Sequence, residues 1–211
     1  MKKIAFLVPD ITNCGPVNVA ISIIKELYKD HKIYLIGIRK NGADQEYIKN
    51  ISRYLTEPPS YLSNHYSLSF ITLAKELEKF IKMHEITSIH AHGLIPVTGL
   101  AKRTGYKKIT TLHCIPHKDY LQEYGLLKGS CLCLLQYSSL IFLHFDAIVS
   151  CSHSVEKGFF GKSISRNKNR LSVIYNGVDD KVFFPIDKQE RQTLKLKLGI
   201  NHSKKIYVYC G

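Results

Sequence analysis

The fold of this protein is decided by the stretch Thr87-Ser88-Ile89-His90-Ala91-His92-Gly93, residues 87–93. Its short run of strand-like residues ends on a glycine, which is typical of a β-strand that enters a turn. A helical pattern over about 94–103 follows, and a second strand-like run extends from Lys107 to Cys114. Strand, helix and strand in this order predict a parallel α/β sheet.

The same alternation continues in both directions along the chain. Further strands are predicted over residues 3–9, 32–38, 147–151 and 171–175, and further helices over 16–29, 68–84, 118–142 and from about residue 153. The segment from Arg39 to Asn64 is interpreted as a long connection without assigned structure. Six strands, most of them separated by a helix, predict a Rossmann-like, doubly wound parallel sheet with its ligand crevice at the carboxyl ends of the strands.

Composition indicates a soluble globular protein. Of the 211 residues, 45% are hydrophobic and 22% are charged, which excludes a disordered chain. The first strand follows Met1-Lys2-Lys3 and is too short for the apolar part of a signal peptide, so a cytoplasmic protein with reduced cysteines is expected. The spacing of His113, Cys114, Cys131 and Cys133 does not form two zinc-binding arms, and no metal is expected.

The net charge of +13 predicts attraction to anions. Five basic residues and no acid lie between Lys157 and Arg170, which favours either a solvated loop or a patch that faces phosphate or lipid. Residues 129–145 carry no formal charge but are shorter than a membrane span of about 20 residues, and they predict a buried or surface-docked helix. Peripheral contact with an anionic membrane face is therefore expected and nucleic acid is not, although a freely soluble basic protein remains the alternative.

The loop after the first strand is the first candidate binding element. It runs from Asp10 through Cys14 and Gly15 to Asn18, and Pro16 can begin a helix there. Gly15 lets the backbone approach a ligand closely, and the N–H groups of the first helical turn favour a phosphate or a polar sugar. The loop contains neither a dinucleotide-binding glycine motif nor a P-loop, and an ordinary strand-to-helix turn is the alternative.

Two histidines end predicted strands and are the second candidate element. His92 precedes Gly93, and His113 ends the strand that begins at Lys107. Side chains at such positions point into the crevice, where an imidazole can bind a hydroxyl group or exchange a proton. His90 lies on the same strand face as His92 and is expected to pack against a neighbouring layer. A further strand ends at Asn176-Gly177, which is typical of a tight turn.

In combination these elements resemble the N-terminal half of a family 4 retaining glycosyltransferase of the GT-B fold. The resemblance extends over essentially the whole chain. The segments that carry it are the loop with Gly15, the strand Ile89–Gly93, the strand end Thr111–His113, the strand end Val149–Ser154, and the turn Val173–Asp179 with Phe183 and Pro185 behind it.

The resemblance implies a two-domain hexosyltransferase that moves a sugar from a nucleotide diphosphate sugar to a glycan or lipid-linked acceptor, without a cofactor or a metal. His113 matches the position that contacts the transferred sugar and is the candidate catalytic residue. Gly15, Asn18, His92 and Asn176 are the candidate substrate-binding residues. A role in the synthesis of cell-surface glycans, on the cytoplasmic face of the membrane, is the corresponding expectation.

The chain departs from the family pattern in two respects. Cys14-Gly15-Pro16 stands where many relatives have two adjacent glycines, and the basic pair and the Glu-x7-Glu region of the donor-binding domain are absent. Residues 1–185 are therefore interpreted as an acceptor-binding domain. Residues 186–211 are interpreted as a linker followed by the first strand, Ile206–Gly211, of a second domain, so that the isolated chain is expected to be inactive.

Two alternatives to this interpretation remain open at this point. One is a non-catalytic acceptor-binding subunit that works with a separate donor-binding chain. The other is a nucleotide-cofactor enzyme of the Rossmann type, which the missing glycine motif disfavours.

Overall fold

The computed structural model describes residues 1–40, 45–63, 69–93, 95–102, 105–160, 170–201 and 205–207. These residues form a seven-stranded parallel sheet with flanking helices, which confirms the predicted α/β fold. The strands are β1 Lys3–Val8, β2 Lys32–Arg39, β3 Ser60–Ser63, β4 Ser88–His92, β5 Lys107–Leu112, β6 Ala147–Ser150 and β7 Leu171–Val173. The helices are α1 Gly15–Leu27, α2 Gln45–Ser52, α3 Phe70–His84, α4 Ile95–Leu100, α5 Pro116–Phe142, α6 His153–Phe160 and α7 Lys188–Lys197.

The strand order places a crevice at the middle of the sheet. The order is β3-β2-β1-β4-β5-β6-β7, and β1 pairs in parallel with both β2 and β4. The chain moves outward from β1 to β3 on one side and from β4 to β7 on the other. Because the direction reverses between β1 and β4, the connections leave these two strands on opposite sides, and a crevice opens at their carboxyl ends.

Both faces of β1 are buried, because alternate residues of a strand point to opposite sides of the sheet. Phe6 and Val8 join one apolar cluster with α1, and Ala5 and Leu7 join a second cluster with α3. The buried residues of each helix recur at helical spacing; they are Val17, Ala20, Ile21 and Ile24 in α1, and Leu73, Ala74, Leu77 and Ile81 in α3.

The connection from Arg39 to Asn64, to which the sequence assigns no structure, contains α2 and β3, so the prediction of six strands is wrong by one. β3 has only four residues, pairs only with β2 and lies at the edge of the sheet. Tyr61 packs closely over β2, where a Cβ on Gly37 would lie 2.9 Å from its ring. A strand this short has no detectable periodicity, and the neighbouring strand is what holds it in place.

Helix α5 is not the single straight helix that the sequence predicts. Gly125 has φ 74° and ψ 176°, a conformation outside the helical region that glycine adopts readily. His117 Nδ1 lies 2.8 Å from the hydroxyl of Tyr137, whereas residues 117 and 137 of a straight helix would be about 30 Å apart. The chain therefore folds back at Gly125 into a helical hairpin with arms 116–124 and 126–142, which we call the α5 hairpin.

The two arms of the α5 hairpin are packed closely against each other. The side-chain amide of Gln136 donates to the hydroxyl of Tyr120 at 3.2 Å. Gly129 faces the backbone of the other arm, and a Cβ at that position would lie 2.5 Å from the Tyr120 carbonyl oxygen. Only glycine fits here, because a backbone carbonyl cannot move aside as the end of a flexible side chain can.

Residues 177–211 form a second compact unit, separate from residues 1–176. It contains α7, whose first turn is capped by Asp187, since the Asp187 carboxylate accepts from the backbone N–H of Glu190 at 2.7 Å. Ile206 and Tyr207 are not in a strand, and the rest of the predicted strand Ile206–Gly211 lies outside the described residues. The predicted domain division at 185/186 remains a prediction.

We predict that Gly129→Ala destabilises the protein, because the new methyl group collides with the Tyr120 carbonyl and forces the arms of the α5 hairpin apart. The expected loss is about 1–3 kcal/mol of unfolding free energy, as for other overpacked sites. Urea unfolding followed by circular dichroism measures it. Ser130→Ala, on the neighbouring exposed position, is the control. Equal stability of the two variants would contradict the close packing at Gly129.

Candidate functional site

One wall of the crevice is the loop between β1 and α1. Cys14 occupies the N-cap position of α1, its side chain makes no capping hydrogen bond, and the first turn contains no acidic residue. The N–H groups of this turn are thus not neutralised by a side chain, and the helix dipole adds a partial positive charge there. A Cβ on Gly15 would meet no atom of the described residues within 4 Å, so this position leaves room for a ligand on that side. The arrangement can accept an anion or a polar sugar.

Asn18 holds the same loop in shape. Its side-chain nitrogen donates to the side-chain oxygen of Asn13 at 2.9 Å, and its own oxygen accepts from the hydroxyl of Tyr47 on α2 at 2.8 Å. Both ends of the Asn18 amide are therefore engaged within the protein. The sequence does not single out Asn13 or Tyr47 as functional residues. Tyr47 lies in the segment to which the sequence assigns no structure.

The centre of the crevice contains His92 and His113 in direct contact. His92 is the last residue of β4, and His113 follows β5, its neighbour in the sheet. His92 Nδ1 lies 3.0 Å from His113 Nε2, and the two rings stack with centroids 5.1 Å apart. The structure thus brings together the two strand-end histidines that the sequence predicts for this edge of the sheet.

His90 extends this pair into a cluster of three histidines. Its ring lies 4.6 Å from that of His92 and 5.4 Å from Phe6 on β1, and its Nε2 is 2.7 Å from the hydroxyl oxygen of Thr111. These contacts are with residues of the sheet itself, so the packing against a neighbouring layer that the sequence predicts for His90 stays a prediction. Thr111 is a participant that the sequence did not single out, since only the strand pairing places it beside a histidine.

All three histidines are neutral at physiological pH. Burial, with a smaller contribution from the neighbouring His113, lowers the pKa of His90 to about 4. Burial, with smaller contributions from His90 and His113, lowers the pKa of His92 to about 2. Burial also lowers the pKa of His113 below the ordinary histidine value of 6.5. The cluster therefore offers neutral donors and acceptors to a ligand rather than positive charge.

The tautomers of the pair follow from the other ring nitrogen of His92. Nε2 of His92 is buried and has no hydrogen-bond partner among the residues that the structure describes. A buried N–H without a partner is rarer than a buried lone pair without one, so we infer that the hydrogen is on Nδ1 of His92 and is donated to Nε2 of His113. Because His113 is then a neutral acceptor at Nε2, its own hydrogen lies on Nδ1, where it can be donated to a hydroxyl or carbonyl oxygen.

Asn176, the remaining candidate, is not brought to this cluster. It is exposed and follows β7, and β7 is separated from β4 by β5 and β6. Three strand spacings amount to about 14 Å. Among the residues with assigned positions, no group of three or more His, Cys, Asp or Glu side chains is arranged to hold a metal ion.

Most of the chain matches a known protein family. Residues 14–182 match the family described as Glycosyltransferase Family 4. An O-antigen biosynthesis glycosyltransferase, WclY from Escherichia coli, is 29% identical over 178 residues, which are 84% of this chain and 45% of the relative. The chain thus spans about half the length of the curated relatives that it matches.

Solved structures share the fold at lower identity. Anabaena HepE, in its complex with UDP, has a TM-score of 0.64 and 19% identity over 94% of this chain and 50% of its own. Sucrose-phosphate synthase from Thermosynechococcus elongatus has a TM-score of 0.65 and 11% identity over 96% of this chain and 54% of its own. At these identities the similarity establishes the fold alone.

The buried neutral histidines predict that stability falls as the pH decreases. The pKa of His90 and that of His92 lie below 6.5 in the folded state, so the unfolded chain binds more protons once the pH drops below about 6.5. Their contribution to stability is complete above that pH and is lost as the pH falls toward the folded pKa values. Each histidine adds up to about 1.4 kcal/mol of lost unfolding free energy per pH unit.

Urea unfolding at pH 7.5, 6.5 and 5.5 checks this prediction. His90→Gln removes one titrating group but keeps a side chain that can bond to Thr111, so its pH slope is expected to be shallower than that of the wild type. His153→Gln, at an exposed position, controls for the loss of a histidine in general. The assignment is wrong if His90→Gln and the wild type lose stability in parallel.

Proposed function

Since the chain belongs to Glycosyltransferase Family 4, we propose that it forms the acceptor-side half of an enzyme that transfers a sugar from a nucleotide diphosphate sugar to a saccharide or lipid-linked acceptor. The observation that carries the proposal is the hydrogen bond between His92 and His113, beside the point where the strand order reverses. The anomeric configuration of the sugar is retained in the proposed reaction.

The donor is proposed from chemistry that the crevice offers and from one neighbour of the same fold. HepE binds UDP and UDP-glucose in its solved complexes. In this chain the uncapped first turn of α1 would lie beside the diphosphate, and the absence of a side chain at Gly15 leaves room for it. The net charge of +13 also attracts a substrate that carries a diphosphate.

The proposed role of His113 follows from its neutral state. In the transfer, the bond between the anomeric carbon and the diphosphate oxygen breaks, the acceptor oxygen bonds to that carbon, and the proton of the acceptor hydroxyl passes to the departing diphosphate. A neutral imidazole that donates from Nδ1 can hold a hydroxyl of the transferred sugar without pairing with the anionic diphosphate. His92 fixes the tautomer of His113 by donating to its Nε2, so it is a positioning residue in this scheme.

The E. coli relative acts in O-antigen biosynthesis, and we propose a corresponding role for this chain in the synthesis of a cell-surface glycan. The reaction would take place on the cytoplasmic side of the membrane, where nucleotide sugars are made available to such enzymes. No metal or cofactor is part of the proposal, because the family resemblance implies a transfer that uses neither. Stabilisation of the leaving diphosphate is assigned to the donor-binding half that the resemblance implies.

The first test is His113→Ala in the complete translated reading frame, with transfer followed by the release of nucleoside diphosphate from UDP-glucose and other nucleotide sugars. Loss of one hydrogen bond to the reacting sugar is expected to reduce kcat/KM by about 10²-fold or more. His144→Ala, at the amino end of β6 and away from the crevice, is the matched control. Near-wild-type turnover by His113→Ala would overturn the assignment of His113.

The wild-type protein from the same reading frame could bind the acceptor and yet show no turnover with any nucleotide sugar. That result would contradict the proposed enzyme and favour a non-catalytic acceptor-binding subunit. Saturation-transfer NMR on the same samples measures that binding.

A second test concerns the open space at Gly15. We predict that Gly15→Leu fills the mouth of the loop and weakens the binding of UDP-glucose about tenfold or more, with little change in the thermal unfolding midpoint. Gly15→Ala is the control, because it imposes the same restriction on the residue before Pro16 without the bulk. Isothermal titration measures the affinity. Equal binding by the Leu and Ala variants would place the ligand away from Gly15.

A further inference from the structure

The α5 hairpin carries an apolar surface that the protein itself does not cover. Leu126 and Leu127 at its turn are 75% and 88% exposed, and Tyr124 beside them is 40% exposed. We call these three residues the hairpin tip. Leu134 and Phe142 continue the exposed apolar surface along the second arm, 72% and 75% exposed. Clusters of this kind mark a contact surface, whereas single exposed leucines are ordinary.

The geometry of the hairpin argues against a membrane span. Among the described helices, α5 alone is long and apolar enough to cross a membrane by length and composition. However, the reversal at Gly125 leaves a longer arm of about 26 Å, short of the roughly 30 Å hydrocarbon core. Cys133 and Leu140 of that arm are buried against the protein. The exposed residues can therefore reach the surface of a bilayer, while the arm stays attached to the sheet.

The charge of the second arm favours an anionic bilayer. No acidic residue lies between Glu123 and Asp146, and the one charged residue on the second arm is Lys128. Its ammonium group lies 5.3 Å from the ring centre of Tyr124, next to the leucines. An ammonium group at the edge of an apolar patch can stay among lipid phosphates while the leucines enter the acyl region.

The residue types favour lipid over a protein partner. Binding hot spots in protein interfaces are enriched in Trp, Tyr and Arg, and leucine is under-represented in them. The hairpin tip has two leucines and one tyrosine, and its flanking cation is a lysine, a residue that protein interfaces contain less often than the rest of the surface. Leucine, an aromatic residue and lysine together are typical of a segment that lies in the membrane interface.

We propose that the hairpin tip and the outer side of the second arm insert into the headgroup region of an anionic bilayer. Ile115 caps α5 only two residues after His113, so the hairpin rises directly from the strand end that carries the candidate catalytic histidine. Docking there holds the crevice next to the membrane. This part of the inference rests on the proposed function and makes the acceptor a lipid-linked glycan rather than a free saccharide.

The test is co-flotation of the full chain with vesicles, with no sugar or nucleotide present. Vesicles of phosphatidylcholine alone are compared with vesicles that contain 30% phosphatidylglycerol, roughly the content that gives a strongly negative surface. Wild-type protein is expected to bind the anionic vesicles. Leu126→Gln/Leu127→Gln is expected to bind them about tenfold or more weakly, because the variant loses the two leucines that would enter the bilayer.

The matched control is Ile71→Gln/Met83→Gln on α3, which also replaces two exposed apolar residues, 61% and 75% exposed. It is expected to bind like the wild type, and circular dichroism melting verifies that both double variants are folded. Lys128→Gln is expected to reduce binding to anionic vesicles and to leave binding to neutral vesicles unchanged. Equal flotation of the two double variants would overturn the proposal.

The exposed apolar surface could instead bind a second copy of the chain, which sedimentation of the same variants detects. If sedimentation shows a dimer that Leu126→Gln/Leu127→Gln dissociates, and flotation is the same for all variants, the surface is a dimer interface and the bilayer proposal is wrong. Since flotation is measured without substrate, its failure leaves glycosyl transfer unaffected. Failure of the His113 test likewise leaves the flotation result unaffected, so the two proposals are separable.

Discussion

The parallel pairing of β1 with β4 is the constraint on which the rest of the structure depends. β1 is bonded on both sides, and its residues Ala5 to Val8 are fully buried between α1 and α3. Because the chain leaves β1 in one direction and β4 in the other, no helix can cover the carboxyl ends of both strands. The crevice therefore opens where the loop with Gly15 follows β1 and where His92 ends β4.

The histidine cluster illustrates the cost of building a polar site in such a crevice. Burial lowers the pKa of His90 to about 4 and that of His92 to about 2, so the protein holds both imidazoles neutral and loses the stabilising effect of water around them. Within the described part of the chain, one ring nitrogen of His92 has no hydrogen-bond partner. Groups kept in this condition are typical of functional sites, where a defined tautomer is worth more than the lost solvation.

The end of β5 lies between the crevice and the α5 hairpin along the chain. His113 belongs to the crevice, and the α5 hairpin begins three residues later with Pro116. The hairpin tip therefore lies close in sequence to His113. Between them the chain leaves the strand, begins a helix at Pro116 and folds back at Gly125. In the proposed function, this local chain path determines which group would face the sugar and which side of the molecule would face a membrane.

The sequence determined the alternation of strands and helices, the parallel sheet, and the strand-end positions of His92 and His113, because these follow from local periodicity and from the rule that ligands lie at carboxyl ends. Tertiary structure decided what depends on contacts between distant residues. The bond between His92 and His113, the contact of His90 with Thr111, and the edge strand β3 exist only because neighbouring strands align them. The sequence did not predict the reversal of α5, since Gly125 fits a helical pattern. The reversal depends on contacts between the two arms, among them the close packing of Gly129 against the Tyr120 carbonyl and the hydrogen bond from Gln136 to Tyr120.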